Sequence, residues 1–301
     1  MCIAFLTSDS ANGLDLVLTF NRDEYFKRPT QGFHIWPTHP EIYAPQDQQP
    51  LNPSHRGSWI GINLQQGRLA FLTNYREPKF HHDSMISRGA LIRNFLINQP
   101  TTPANKLLVN GPRYAKEYAE KVYEERQRYD GFNLVLVDIG KSPVEVYYVT
   151  NRGYEDNKGV VKKLDVKDIL GISNSAIDQP WNKVVCGKKE FARIVTSARD
   201  GETDQELVEK LMEMMRDRNC EYQVPERIDD LKTHIFIPVV DALGGDIGPG
   251  LYGTRSTAAI LLRNGHLTVA EREYTASGQL GTDGSIPGDI ITNVFSMESE
   301  K

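Results

Sequence analysis

Cys2 is the residue whose position carries the most chemistry in this 301-residue chain. It follows Met1 and opens the apolar run Cys2-Ile3-Ala4-Phe5-Leu6. A second residue as small as cysteine permits removal of the initiator methionine, which leaves a thiol and a free α-amine on one residue. The amine, with an ordinary pKa of about 7.7–8.0, accepts the thiol proton near neutral pH, so one residue supplies nucleophile and base. The competing reading is a small buried cysteine that packs as an apolar side chain.

A thiol that attacks a carbonyl also needs donors for the developing oxyanion and charge to orient the amine and substrate. Asn21-Arg22-Asp23-Glu24 closes an otherwise apolar strand, where charge is costly unless paired. The quartet is therefore either a strand-end salt bridge or a ligand-facing wall. Asn74 ends Leu72-Thr73-Asn74, and Asn174 lies in Gly171-Ile172-Ser173-Asn174-Ser175. Such asparagines are common turn residues, and their amides are also uncharged oxyanion donors. Arg255 opens a strand after a glycine-rich loop, where it can hold a carboxylate or another anion.

The elements that must position these groups follow from pattern. Residues 2–7 and 14–20 read as strands, with Asn12-Gly13 as the hairpin signal between them. A two-residue turn there sets Cys2 opposite Asp23, and a longer loop sets it opposite Thr19. Either register keeps the charged quartet near the thiol. Residues 33–53, rich in Pro and His, read as a loop with one or two short strands. A hairpin over 57–74 follows, then a helix after Ser87 with Leu91, Ile92, Phe95 and Leu96 on one face. Pro112 suits the first turn of the next helix.

Strands return at 132–139, 144–150 and 168–173. A helix beginning near Pro180 carries Val184, Phe191, Ile194 and Val195, and Thr203-Asp204-Gln205-Glu206 is a capping box for another. His234–Val240 is one more strand or an edge segment, and residues 255–262 and 267–274 form a last hairpin. The glycines of 244–253 do not sit between a strand and a helix as a phosphate-binding fingerprint requires. The terminal hairpins are apolar on both faces, so each needs cover on both sides. The expected architecture is one α+β domain over residues 1–301, an αββα sandwich, with 276–301 a polar, mobile tail.

Composition bounds the rest. Thirty-five Lys plus Arg against forty Asp plus Glu give a net charge of −5, which offers nucleic acid no support as main partner. No stretch approaches the roughly 20 apolar residues of a membrane span. Cys2, Cys186 and Cys220 are odd in number and widely spaced, so neither a disulfide framework nor a zinc site is expected, and a reducing compartment is the default. His34, His39, His55, His81, His82, His234 and His266 show no haem-attachment spacing. No metal and no required cofactor are expected, and oligomeric state is open.

Met1-Cys2, Asn21-Arg22-Asp23-Glu24, Gly61-Ile62-Asn63, Leu72-Thr73-Asn74, Gly171-Ile172-Ser173-Asn174, Asp178-Gln179-Pro180-Trp181 and Tyr252-Gly253-Thr254-Arg255 form an ordered set. Over nearly the whole chain it resembles the transport and Golgi organisation (NRDE) family. That family is similar in pattern to the N-terminal-nucleophile hydrolases, in particular the penicillin V acylase and bile-salt hydrolase group. The resemblance implies a four-layer αββα sandwich, Cys2 as nucleophile, and Asn74 and Asn174 at the oxyanion and amine-positioning places. Arg255 would stand at the distal arginine. The chain departs from the hydrolases at their Arg-x-x-Asp motif: in that register it has Asn21 and Glu24, with Arg22 and Asp23 between. A one-residue slip restores the arginine and turns every side chain to the other face.

The resemblance also implies a role in lipid and acyl-coenzyme-A homeostasis, haem mobilisation, and the state of Golgi and mitochondria. Three functions compete. In the first, processed Cys2 hydrolyses an amide or thioester of an amphipathic small molecule. In the second, the scaffold carries haem or an acyl-coenzyme A without turnover, with Asn21, Arg22, Asp23, Glu24 and Arg255 lining the ligand. The third, a trafficking scaffold, has no interaction motif to support it. The implied location is the cytoplasm, with peripheral contact to Golgi or mitochondrial membranes.

Overall fold

The computed structural model describes residues 1–8, 13–77, 85–97, 114–141, 143–153, 159–165, 167–198, 201–216, 231–241, 250–278, 280 and 284–297. The Asn12 turn residue, Pro112, His81, His82, Cys220 and most of the 244–253 loop lie outside them. The chain divides into two units, Met1–Pro29, Thr73–Phe80 and Val166–Lys301 in the first, and Thr30–Leu72 with His81–Asp165 in the second.

The first unit is built on a seven-stranded sheet. Its strands are β1 (Cys2–Thr7), β2 (Leu14–Tyr25), β10 (Leu170–Ile172), β11 (Val240–Asp241), β12 (Leu251–Arg263), β13 (His266–Ala276) and β14 (Ser285–Ser296). The order is β10-β1-β2-β12-β13-β14, with β11 also on β12. Every pairing is antiparallel. The helices α3 (Asn182–Thr196) and α4 (Asp204–Arg216) pack on one face, in a core that includes Ile3, Phe5, Val17, Ala259 and Leu261. The alternate residues Ala4, Leu6, Leu18 and Ile260 are just as buried. Burial on both faces is what the unbroken apolar runs required.

Local chemistry explains the boundaries. Thr203 and Glu206 form the expected capping box, each bonding the other's backbone N–H at the start of α4. Asn264 and Gly265 both have positive φ, which fits the tight turn between β12 and β13. Gly187 brings α3 against β1, because a Cβ there would collide with the Phe5 ring. The expected tail is instead a twelve-residue strand: β14 pairs with β13 from His266↔Ser296 to Ala276↔Ser285. Its polar reading came from Asp, Asn, Ser and Gly residues that an outermost strand tolerates, while Ile290 still packs on the core.

The second unit has its own seven-stranded sheet in sequential order. It comprises β3 (Thr30–Trp36), β4 (His39–Asp47), β5 (Ile60–Asn63), β6 (Arg68–Asn74), β7 (Phe132–Asp138), β8 (Glu145–Thr150) and β9 (Val160–Leu164). The segment expected as mostly loop is the β3–β4 hairpin, and β9, half exposed, was not foreseen. Helices α1 (Gly89–Ile97) and α2 (Tyr114–Glu124) share a core with Trp36, Leu72, Phe132 and Val149. The fold class is α+β, and two sheets with two helix pairs are the parts that an αββα sandwich contains.

Candidate functional site

Cys2 begins β1 and pairs directly with Arg22 on β2. The register lies one residue from the two-residue-turn expectation, which set Cys2 opposite Asp23. Directly paired residues point to the same face, so the thiol and the Arg22 guanidinium share one side of the sheet. Alternation puts Glu24 on that side too, 3.6 Å from Arg22, and Arg28 adds a contact at 3.9 Å. The quartet is thus split by the pleat: Arg22 and Glu24 face the thiol side, whereas Asn21 and Asp23 face α3 and α4.

That split corrects the reading of Asn21 as a ligand contact. Asn21 is fully buried, and its amide donates to the carbonyls of Met215 (2.8 Å) and Ile235 (3.0 Å). Thr257 donates to its Oδ1 at 2.6 Å. Asn21 joins β2 to the end of α4 and to β12. Asp23 is buried as well, and Thr254 donates to its Oδ1 at 2.8 Å. Burial pushes the Asp23 carboxyl above its ordinary range, against the opposing charges of Lys183 and the Met1 ammonium.

Asn174 follows β10 and reaches Cys2 through the backbone. The Cys2 N–H donates to Asn174 Oδ1 at 3.1 Å, and Ser173 Oγ donates to the Cys2 carbonyl at 2.7 Å. Asn174 Nδ2 donates to the Asn74 carbonyl at 2.6 Å, and the Arg76 N–H donates to the Asn174 carbonyl at 2.8 Å. Asn74 therefore meets the site through its main chain, while its side chain is exposed. This differs from the expected side-chain donor at the oxyanion.

Arg255 occupies a β-bulge, the extra residue between Thr254↔Asp23 and Ser256↔Arg22. Bulges re-aim side chains, and this one leaves the guanidinium against the end of β2 and the chain that follows it. Its Nη1 donates to the carbonyls of Tyr25 and Arg28, both at 2.9 Å, and its plane lies over Phe26. Arg255 holds the chain after β2, a supporting place in contrast to the expected direct ligand contact.

Burial sets the electrostatics. It pushes the Cys2 thiol above its ordinary pKa, opposed chiefly by the Met1 ammonium. Arg22 is drawn down by burial, opposed by Glu24. Tyr252 is held well above the ordinary phenol value by burial. Tyr252 was not singled out as a site residue, although its motif was. Its hydroxyl donates to the Asp23 carbonyl at 3.1 Å and also meets the Met1 ammonium. That ammonium donates to the same Asp23 carbonyl at 2.8 Å.

The ordered motifs carried by these residues extend to the sequence as a whole. A family model, Transport and Golgi organisation 2, matches residues 1–276. The chain belongs to that family. Bos taurus transport and Golgi organization protein 2 homolog is 30% identical over 307 residues, covering 99% of this chain and 100% of the relative. The Mus musculus homolog is 31% identical over 280 residues, covering 90% and 92%. The Drosophila melanogaster family member is 27% identical over 272 residues, covering 87% and 88%.

Two solved structures overlap more loosely. The Caenorhabditis elegans ortholog of N-acylethanolamine-hydrolyzing acid amidase aligns at a TM-score of 0.41 and 11% identity, over 86% of this chain and 92% of that one. A variant of conjugated bile acid hydrolase from Clostridium perfringens aligns at 0.43 and 11%, over 99% and 93%.

Proposed function

We propose that this family member is a cysteine N-terminal-nucleophile hydrolase, cleaving an amide or thioester bond of an amphipathic small molecule. One observation carries the reading. The Cys2 nitrogen, the atom that becomes the α-amine once Met1 leaves, is already held at 3.1 Å by Asn174 Oδ1. Arg22 stands across from the thiol on the same face. In the reaction, Cys2 Sγ bonds to the substrate carbonyl carbon and its proton passes to the α-amine. The oxyanion gathers beside Asn174, whose amide has one hydrogen on Asn74 and a second to donate. As the carbon–nitrogen or carbon–sulfur bond breaks, the leaving atom takes the proton from the amine. Water then cleaves the acyl-thioester and restores the thiol.

Intact mass combined with a thiol-directed acyl probe tests this. Processed protein lacking Met1 should be acylated on Cys2, and Cys2→Ala should not. Acyl turnover by protein that retains Met1 would reject the mechanism, because the nitrogen would then be an amide.

A second reading rests on the Met1 ammonium, which is seated on Asp23 and Tyr252. In a chain that keeps Met1 the Cys2 nitrogen is an amide and cannot take the thiol proton. It is then a carrier of haem or acyl-coenzyme A, with the thiol and Arg22 as ligand contacts. Native mass spectrometry of freshly purified protein separates the readings by the state of the first residue and the mass of any bound molecule. Either activity suits the cytoplasm, where thiols stay reduced. Any contact with Golgi or mitochondrial membranes is peripheral on this reading. Among the described residues no helix is long and apolar enough to cross a membrane.

A further inference from the structure

Met1 sits in a formed slot. Its carbonyl accepts the Asp23 N–H at 2.6 Å, and its ammonium donates to the Asp23 carbonyl at 2.8 Å and meets the Tyr252 hydroxyl. These contacts read an amine on the carbon next to a carbonyl. The side chain packs with Tyr25, Tyr252, Leu231, Ile237 and Val240, and Arg76 Nη1 lies 3.9 Å from its sulfur. Loss of Met1 frees the Asp23 N–H and leaves the Asp23 carbonyl with Tyr252 alone, on a buried stretch where a freed group needs a new partner.

Resting on the N-terminal-nucleophile reading, we propose that the slot vacated by Met1 is the acyl subsite, and that it takes an α-aminoacyl group with an unbranched side chain. The group's amine meets the Asp23 carbonyl and Tyr252. Its chain runs along Ile237 and Val240 toward Arg76, which favours an acceptor atom at the chain's end. The unprocessed chain is closed to such a substrate, because Met1 is itself that group.

Calorimetry with L-methioninamide and its des-amino analogue on the full chain, alongside intact mass, tests this. Processed protein should bind the amine-bearing probe about ten-fold or more tightly than the analogue, the effect expected for a charged hydrogen bond. Tyr252→Phe should narrow the ratio, and protein retaining Met1 should bind neither. Equal binding of both probes by processed wild-type protein overturns the inference even where the acyl probe labels Cys2, so hydrolysis would stand without it. Met1 found on all of the active protein overturns both.

Discussion

The backbone nitrogen of Cys2 is held by the side chain of Asn174, 172 residues away, at 3.1 Å. The same asparagine donates to the main chain of Asn74 at 2.6 Å. One amide group thereby fixes the start of β1 against two other segments of its unit.

Asn174→Ala removes both bonds and leaves buried partners unsatisfied, so urea unfolding should show a loss of about 1–3 kcal/mol. Acylation of Cys2 should fall by about a hundred-fold or more, the usual consequence of losing a preorganised oxyanion donor. Acylation at the wild-type rate would remove Asn174 from the proposed chemistry.

Cys2 is predicted to react slowly with iodoacetamide while Met1 is present. Its folded pKa lies above the ordinary 9.0 because burial disfavours the thiolate. Peptide-resolved alkylation should therefore show a midpoint for Cys2 at higher pH in the folded protein than in the urea-unfolded chain. The stability sign follows. Above pH 9.0 the unfolded chain releases this proton before the folded one, so stability falls as pH rises through that region. A folded midpoint at or below that of the unfolded chain in the Met1-bearing protein would contradict the burial argument.

Asp23 and Lys183 should behave as a coupled pair. Both are buried, and Lys183 is the principal charge drawing the Asp23 carboxyl down. Asp23→Asn removes a charge that acts on Lys183 and should lower stability measurably. Adding Lys183→Met should recover most of the loss. A double-mutant cycle in guanidinium chloride measures this, and additive losses would show that the two groups are not coupled.

Arg255→Lys tests the bulge. A lysine keeps the charge, but its ammonium ends one atom short of the Nη1 that donates to both the Tyr25 and Arg28 carbonyls, and it has no plane to lie over Phe26. Thermal unfolding should show a loss of about 1–3 kcal/mol, with acylation of Cys2 reduced far less than in Asn174→Ala. A large selective loss of acylation in a protein of unchanged stability would restore Arg255 to a direct ligand role.

Much of the fold was legible because its signals are local. Apolar runs marked β1, β5 and β6, the capping box marked the start of α4, and the spacing of Leu91, Ile92, Phe95 and Leu96 marked the buried face of α1. Strand β14 escaped because an outermost strand can be polar, and its pairing with β13 is what makes it a strand.

By itself the sequence determined a cysteine in second place and the closeness of Asn21–Glu24 to it, since a short hairpin allows little else. Only the tertiary structure decided which members of that quartet meet the thiol. A side-chain period of two means that a one-residue change in register exchanges faces. The observed register puts Arg22 beside Cys2 and buries Asn21 behind it. The pairing of Asn174 with the Cys2 nitrogen, the bonds of Arg255 to the Tyr25 and Arg28 carbonyls and the seat of Met1 on Asp23 and Tyr252 join residues distant along the chain. Their geometry is set by sheet order and a bulge, which no local pattern encodes.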